Sequence, residues 1–319
     1  MEKSSRIYVA GSGGMVGSSI VRLLKKLDYT NVITRTSKEL DLRDASAVDK
    51  FFDAERPEYV FLAAAKVGGI HANNTRRGEF IRDNLMIQTN VIHACCVFGV
   101  KKMIFLGSSC IYPRDCPQPI REEYLMTGPL EETNKPYAVA KIAGIEMCDA
   151  YKRDYGCDFV SVMPTNLAGP GDNYNLIGGH VFAALIRKFY EAKKLGLPNV
   201  VVWGTGAARR DFMHVDDLAR GILMVMQSQE DLGVVNMGSG RDVSIREFAE
   251  LIREVVGYEG GIVFDTSKPD GTPVKIMDCS KAHKLGWKPE LSLRETVELV
   301  LEDFSDNYNT YCKTHRIHT

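Results

Sequence analysis

Short apolar runs at 6–10, 31–34, 59–63, 102–107 and 159–163 are separated by amphipathic stretches at 15–27, 45–54, 78–98 and 137–155. The runs are too short for helices and apolar on successive positions, which predicts strands buried on both faces. The intervening stretches carry helical spacing. Strand and helix thus alternate, and the expected class is α/β, a doubly wound parallel sheet covered by helices. After Pro164 the pattern loosens. Gly/Asn-rich stretches at 169–179 and 203–210 flank a helical segment at 181–194. Further helices are expected at 216–226, 244–256 and 293–304, and strands at 234–237 and 262–265. This less regular half predicts a smaller C-terminal α/β domain that builds a substrate site beside the sheet. The expected division is 1–168, with 214–238 returning to it, against 169–213 and 239–319. The polar tail 309–319 is expected to lack order.

Charge narrows the partners. The 319 residues carry a formal net charge of -1, so no global field draws the chain to nucleic acid or to a membrane surface. An anionic substrate must be met by local cations. No apolar run approaches the roughly 20 residues of a bilayer span. Met1–Ser5 enters the first strand without an apolar leader, and a cytoplasmic location is expected. The eight cysteines contain no C-x-x-C pair and no Cys/His spacing suited to zinc, so free thiols and no metal are expected.

Between the first strand and first helix stands Gly11-Ser12-Gly13-Gly14-Met15-Val16-Gly17. Glycines at 11, 14 and 17 allow a tight turn, close approach of backbone N–H groups to a pyrophosphate, and close helix–strand packing. In this strand–loop–helix setting the loop predicts a Rossmann-type dinucleotide site. The Gly-Lys-Ser/Thr ending of a triphosphate loop is absent. The second strand ends in Thr34-Arg35-Thr36-Ser37-Lys38 rather than in an acidic residue. A cation there suits the extra phosphate of NADP, and Arg35 makes NADP(H) the expected cofactor.

Tyr137-Ala138-Val139-Ala140-Lys141 places a phenol and an ammonium one helical turn apart on one face. A lysine there is expected to lower the phenol pKa and to hold a cofactor ribose, making Tyr137 a general acid or base for a carbonyl oxygen. Gly107-Ser108-Ser109-Cys110 follows the fourth strand, at the sheet end where ligands of open α/β sheets gather. Ser108 is placed to donate to the same carbonyl.

Loop, serine and Tyr/Lys pair, in that order, resemble the extended short-chain dehydrogenase/reductase superfamily acting on nucleotide sugars. Leu62-Ala63-Ala64-Ala65-Lys66-Val67-Gly68-Gly69-Ile70, Ser108-Ser109-Cys110-Ile111-Tyr112-Pro113, Met163-Pro164-Thr165-Asn166-Leu167, Gly179-His180-Val181, Arg210-Asp211-Phe212-Met213-His214 and Ser267-Lys268-Pro269-Asp270-Gly271 look like the GDP-L-fucose synthase family. The likeness runs from about Arg6 to about Phe304. It implies 3,5-epimerisation of GDP-4-keto-6-deoxy-D-mannose and NADPH-dependent reduction at C4, in a homodimer formed through 78–98 and 137–155.

The resemblance assigns Cys110 and His180 to proton transfer at the carbons flanking the ketone, with no covalent intermediate at Cys110. A thiol and an imidazole both titrate within reach of neutral pH. It adds Leu106, Gly107, Ser109, Pro164, Thr165, Asn166, Leu167 and His180 to the cofactor contacts, beside Lys141. It gives Lys188 and Arg210 to the substrate diphosphate, Trp203 as a flat apolar surface, and Asp270 as a hydroxyl acceptor. Two departures stand out. Ala168-Gly169-Pro170-Gly171-Asp172-Asn173 lacks an aromatic and a histidine common in the family, and Gly13 stands where some members place arginine. The rival expectations are a nucleotide-sugar 4-epimerase or 4,6-dehydratase, and a catalytically silent nucleotide-binding regulator. Ser108-Ser109-Cys110 differs from a dehydratase acid/base motif, and the retention of Tyr137 and Lys141 argues against the regulator.

Overall fold

The computed structural model describes residues 1–176, 178–268 and 270–314; Ile177, Pro269 and the tail residues 315–319 lie outside that set. The first half runs β1 Ile7–Ala10, α1 Met15–Lys26, β2 Val32–Thr34, α2 Ala45–Glu55, β3 Tyr59–Leu62, α3 Ile70–Thr75, α4 Arg77–Val97, β4 Lys102–Leu106, α5 Lys135–Tyr155 and β5 Phe159–Pro164. The second half runs β6 Asn166–Ala168, α6 Val181–Leu195, β7 Asn199–Trp203, β8 Arg209–His214, α7 Val215–Gln227, β9 Val234–Met237 and β10 Asp242–Ser244. It ends with α8 Ile245–Val256, β11 Gly261–Asp265, β12 Val274–Lys275, α9 Ser280–Lys284, α10 Leu293–Asp306 and α11 Tyr308–Thr314. Helix α5 starts before Tyr137 because Pro136 fits the first turn, where no N–H is required.

Six strands pair in parallel in the order β2-β1-β3-β4-β5-β9. Strand alternation sends successive side chains to opposite faces. Tyr8, Met103 and Phe159 meet Phe52 of α2, Val91 of α4 and Ile145 of α5 on one side. Ile7, Ile104 and Val160 meet Leu24 of α1 and Leu218 of α7 on the other. Both faces are buried, as the continuous apolar runs predict. The chain leaves β1 for β2 and returns to β3 on β1's other side, and ligands of open sheets bind at the carboxyl ends beside such a reversal.

A third apolar cluster joins Phe182 and Phe189 of α6, Phe248 of α8 and Phe304 of α10 to Val200 and Val202 of β7. Strand β8 carries β10 antiparallel, and β6 and β12 parallel; β7 pairs with β11. Sequence periodicity left 203–210 as a connection, whereas strands β7 and β8 reach into both of its ends. Residues 309–314 of the tail lie in helix α11, which corrects the expectation of disorder for that part. The stripe Phe304, Tyr308, Tyr311 accounts for it: Tyr311 packs 4.6 Å from Tyr174, and its hydroxyl donates to Asp303 at 2.6 Å and accepts from the Gly171 N–H at 3.0 Å.

Candidate active site

The glycine loop fits a dinucleotide phosphate. Gly11 has φ +83°, and a Cβ there would press into the Ala64 backbone after β3. A Cβ on Gly17 would overlap the Gly11 carbonyl. Helix α1 starts at Gly14 with no side-chain cap and no acidic residue in its first turn, so the N–H groups around Ser12, Gly13, Met15 and Val16 present a bare, positive helix end. Gly171 lies close by, since a Cβ there would come 3.6 Å from Met15 Cα.

Arg35 ends β2 on the same side, but its guanidinium is paired with Glu55, donates to the Thr34 carbonyl at 2.8 Å and lies 5.4 Å over Phe51. To meet a phosphate it must exchange Glu55 for it. Sequence reading does not foresee this partner, which is 20 residues away on α2.

The Ser/Tyr/Lys group does assemble. Ser108 caps the turn 109–111, and its Oγ accepts from the Cys110 N–H at 3.2 Å. Tyr137, in the first turn of α5, faces Ser108, whose hydroxyl draws the phenol's pKa down. Lys141 is 3% exposed; its Nζ donates to the Leu106 carbonyl at 2.6 Å and sits 4.8 Å over Phe105. The electrostatics differ from expectation. Burial pushes the Tyr137 phenol up, Cys110 adds to the rise, and only the Ser108 hydrogen bond pulls it back. Burial likewise pushes Lys141 down to about 7. Desolvation is the largest effect at both residues, so each is driven toward its neutral form.

The strand ends around this group are fixed by backbone contacts. Gly107 donates to Val162 O at 2.9 Å and lies against Met163, and Ser109 is buried. Beyond Pro164, Thr165 Oγ1 and Asn166 Nδ2 both donate to Asp211 O, at 3.0 and 2.9 Å, and Leu167 pairs with Met213. These bonds lock the end of β5 to β8, where Arg210 sits.

His180 caps α6 without a side-chain hydrogen bond and is exposed. The glycines before it are tied to the Val67–Ile70 string, with Gly69 N–H donating to Gly178 O at 2.9 Å. Asp172, buried nearby, is held above its ordinary value by desolvation and lowered by His180. Its role as a neighbour of His180 is missed by sequence reasoning, because eight residues and a turn separate them.

Of the substrate candidates, Lys188 and Trp203 meet each other. Lys188 Nζ lies 5.6 Å over the Trp203 ring and donates to Val201 O at 2.8 Å, with Lys268 5.9 Å from the same ring. Trp203 is 49% exposed, which leaves a flat face available. Arg210 donates to Arg209 O at 2.8 Å and reaches Asp270 O at 3.5 Å. Asp270 differs from expectation: its carboxylate already accepts from Thr205 N–H at 2.7 Å and Thr205 Oγ1 at 2.8 Å, so it braces the 203–207 turn.

Residues 7–238 match the NAD dependent epimerase/dehydratase family. The chain is similar to GDP-L-fucose synthase 1 of Arabidopsis thaliana, at 54% identity over 98% of this chain and 94% of that one. It is 49% identical to GDP-L-fucose synthase of Escherichia coli (strain K12), over 96% and 98% of the two chains. The crystal structure of a GDP-L-fucose synthetase from Naegleria fowleri bound to NADP superposes with a TM-score of 0.89 at 33% identity, covering 97% of this chain and 95% of that one. The chain belongs to the NAD dependent epimerase/dehydratase family, in the branch that holds the GDP-L-fucose synthases.

Proposed function

We propose that this chain converts GDP-4-keto-6-deoxy-D-mannose to GDP-L-fucose by epimerising C3 and C5 and then reducing C4 with NADPH. The observation that carries the reading is the convergence of Ser108, Cys110 and Tyr137 at the carboxyl end of β4, on a chain with close GDP-L-fucose synthase relatives. NADPH, when bound, supplies the hydride for C4. The bare N-terminus of α1 would hold its pyrophosphate, Arg35 its additional phosphate, and Lys141 its nicotinamide ribose.

Ser108 and Tyr137 donate to the C4 oxygen, stabilising each enolate during epimerisation. A phenol is protonated across the neutral range and burial raises Tyr137 further, so it has a proton to give to the alkoxide when C4 is reduced. Cys110 and His180 serve as base and acid at the carbons beside the ketone. Arg210 and Lys188 face the diphosphate, and Trp203 offers its exposed ring to an apolar part of the substrate. In this reading 1–168 with 214–238 binds the cofactor, and the remainder binds the GDP-sugar. Outward apolar side chains on α4 and α5, among them Val97 and Val139, support a homodimer through these helices. Eight free thiols support a reducing, cytoplasmic setting. No helix of the described residues is long and apolar enough to cross a membrane.

The test is NADPH consumption with GDP-4-keto-6-deoxy-D-mannose and identification of the product sugar. GDP-L-fucose is the expected product. An unepimerised GDP-6-deoxy sugar would remove the roles of Cys110 and His180, and no consumption of NADPH would remove the substrate. Cofactor choice is tested separately. Arg35→Ala is expected to lower kcat/KM for NADPH by about tenfold or more, the range of a lost charge-assisted hydrogen bond, and to leave that for NADH unchanged. Equal losses with both cofactors would show that Arg35 serves only its ion pair with Glu55.

A further inference from the structure

Strand β12 brings one more side chain to the thiol. Lys275 lies opposite Arg210 in the parallel β12–β8 pairing, and its Nζ donates to Cys110 Sγ at 3.5 Å across 165 residues of chain. Among the described residues this ammonium enters no ion pair, so its charge is not neutralised by a carboxylate. Both residues line one small pocket with Ser109, Tyr112, Gln118 and Val274. Other charged and titratable groups face the sulfur or its lysine. Arg210 interacts electrostatically with Cys110 from β8, and Tyr137 from α5. Cys116 also feels the Lys275 charge, which pulls its thiol down against the rise from burial. Arg114 and Glu131, on the pocket wall, are 3.6 Å apart and pair with each other.

A thiol reacts as its thiolate, and a cation in hydrogen-bond range favours that form and fixes its direction. We propose that Lys275 is a positioning residue for epimerisation: its ammonium holds Cys110 Sγ toward the sugar and stabilises the thiolate that removes the proton beside the ketone. The inference rests on the assignment of Cys110 as the base. In that step the ring C–H bond breaks and its proton forms S–H on Cys110. The bonding pair moves between the two carbons, and the carbonyl pair moves onto oxygen as the enolate. Lys275 keeps all its protons throughout. The second sheet thereby supplies the counter-charge to a sulfur carried by the first.

The test compares the full-length protein with Lys275→Met, Lys275→Gln and Lys275→Arg. Alkylation of Cys110 by iodoacetamide at neutral pH, followed on its peptide by mass spectrometry, is expected to slow about tenfold or more in the Met and Gln variants. The Arg variant is expected to keep most of the wild-type rate. Deuterium uptake from heavy water into GDP-4-keto-6-deoxy-D-mannose should fall in parallel, in kcat rather than KM. The Gln variant retains a polar group in β12 and keeps the test valid if Met disturbs the strand. Unchanged alkylation and exchange in both neutral variants would overturn the proposal. Cys110→Ala separates the two levels. If it stops exchange while Lys275→Met behaves as wild type, only the role of Lys275 falls; if it exchanges normally, the assignment of Cys110 falls as well.

Discussion

Tyr137→Phe is expected to lower kcat for C4 reduction by about 10²–10⁴-fold, the range for loss of a positioned general acid. The reason lies in what the phenol does in the folded chain. Its ring packs edge-on to Phe80 at 6.5 Å, a contact that phenylalanine retains. Its hydroxyl faces Ser108, whose own Oγ is anchored by the Cys110 N–H. The substitution therefore removes one hydroxyl from a packed setting and leaves the cofactor loop, Lys141 and Cys110 in place. NADPH affinity and thermal midpoint should be close to wild type. Deuterium exchange beside the ketone should also slow, because in the proposed mechanism the same hydroxyl stabilises the enolates, but by less than reduction, since Ser108 is left to donate. Steady-state kinetics with fluorescence titration of NADPH check the point. A loss that appears wholly in NADPH affinity, with kcat intact, would move Tyr137 from the chemistry to cofactor binding.

The sheet and the Ser/Tyr/Lys group were legible because local rules decide them. Short continuous apolar runs set between helical stretches read as strands covered on both sides, and a Tyr/Lys pair four residues apart on a helix shares one face. The second sheet was harder. Strand β8 contains Arg209, Arg210 and Asp211, and β10 and β12 span three and two residues, so no hydrophobic period marks them. What makes them strands is pairing with segments far along the chain, which local periodicity does not register. The same holds for side-chain partners. Arg35 finds Glu55, Asp270 turns to Thr205, and Lys275 reaches Cys110 only after the fold has closed. Phe304 at the end of α10 and Tyr308 and Tyr311 of α11 are spaced as one aromatic stripe, but the polar residues around them hide it in the sequence. The expected lowering of the Tyr137 phenol by Lys141 failed for another reason. Spacing gives proximity, whereas burial depends on everything packed around the pair, and here burial has the larger effect.

That burial makes Lys141 the source of an unusual pH dependence. Its ammonium is displaced from an ordinary value of 10.5 to about 7 by desolvation. If the charged form holds the cofactor ribose, kcat/KM for the free enzyme should fall as pH rises through about 7, because deprotonation removes the working species. Stability should move the other way. Between about 7 and the ordinary lysine range the unfolded chain binds the proton that the folded chain has lost, so this group makes the fold more stable as pH rises through that window. Below about 7 both states are protonated and the burial penalty is fully present. Lys141→Met removes the penalty at neutral pH and leaves the Leu106 carbonyl without its donor, two opposing effects of a few kcal/mol each. The thermal midpoint should thus hold or rise while activity falls at least about a hundredfold. Lys141→Arg should retain part of the activity and lose the alkaline limb near 7, since guanidinium stays charged there. Rate profiles across the neutral range, paired with melting curves of the same three proteins, decide it. A Lys141→Met protein that melts well below wild type would mean that the hydrogen bond to Leu106 outweighs desolvation, and an unchanged alkaline limb in Lys141→Arg would assign that limb to another group.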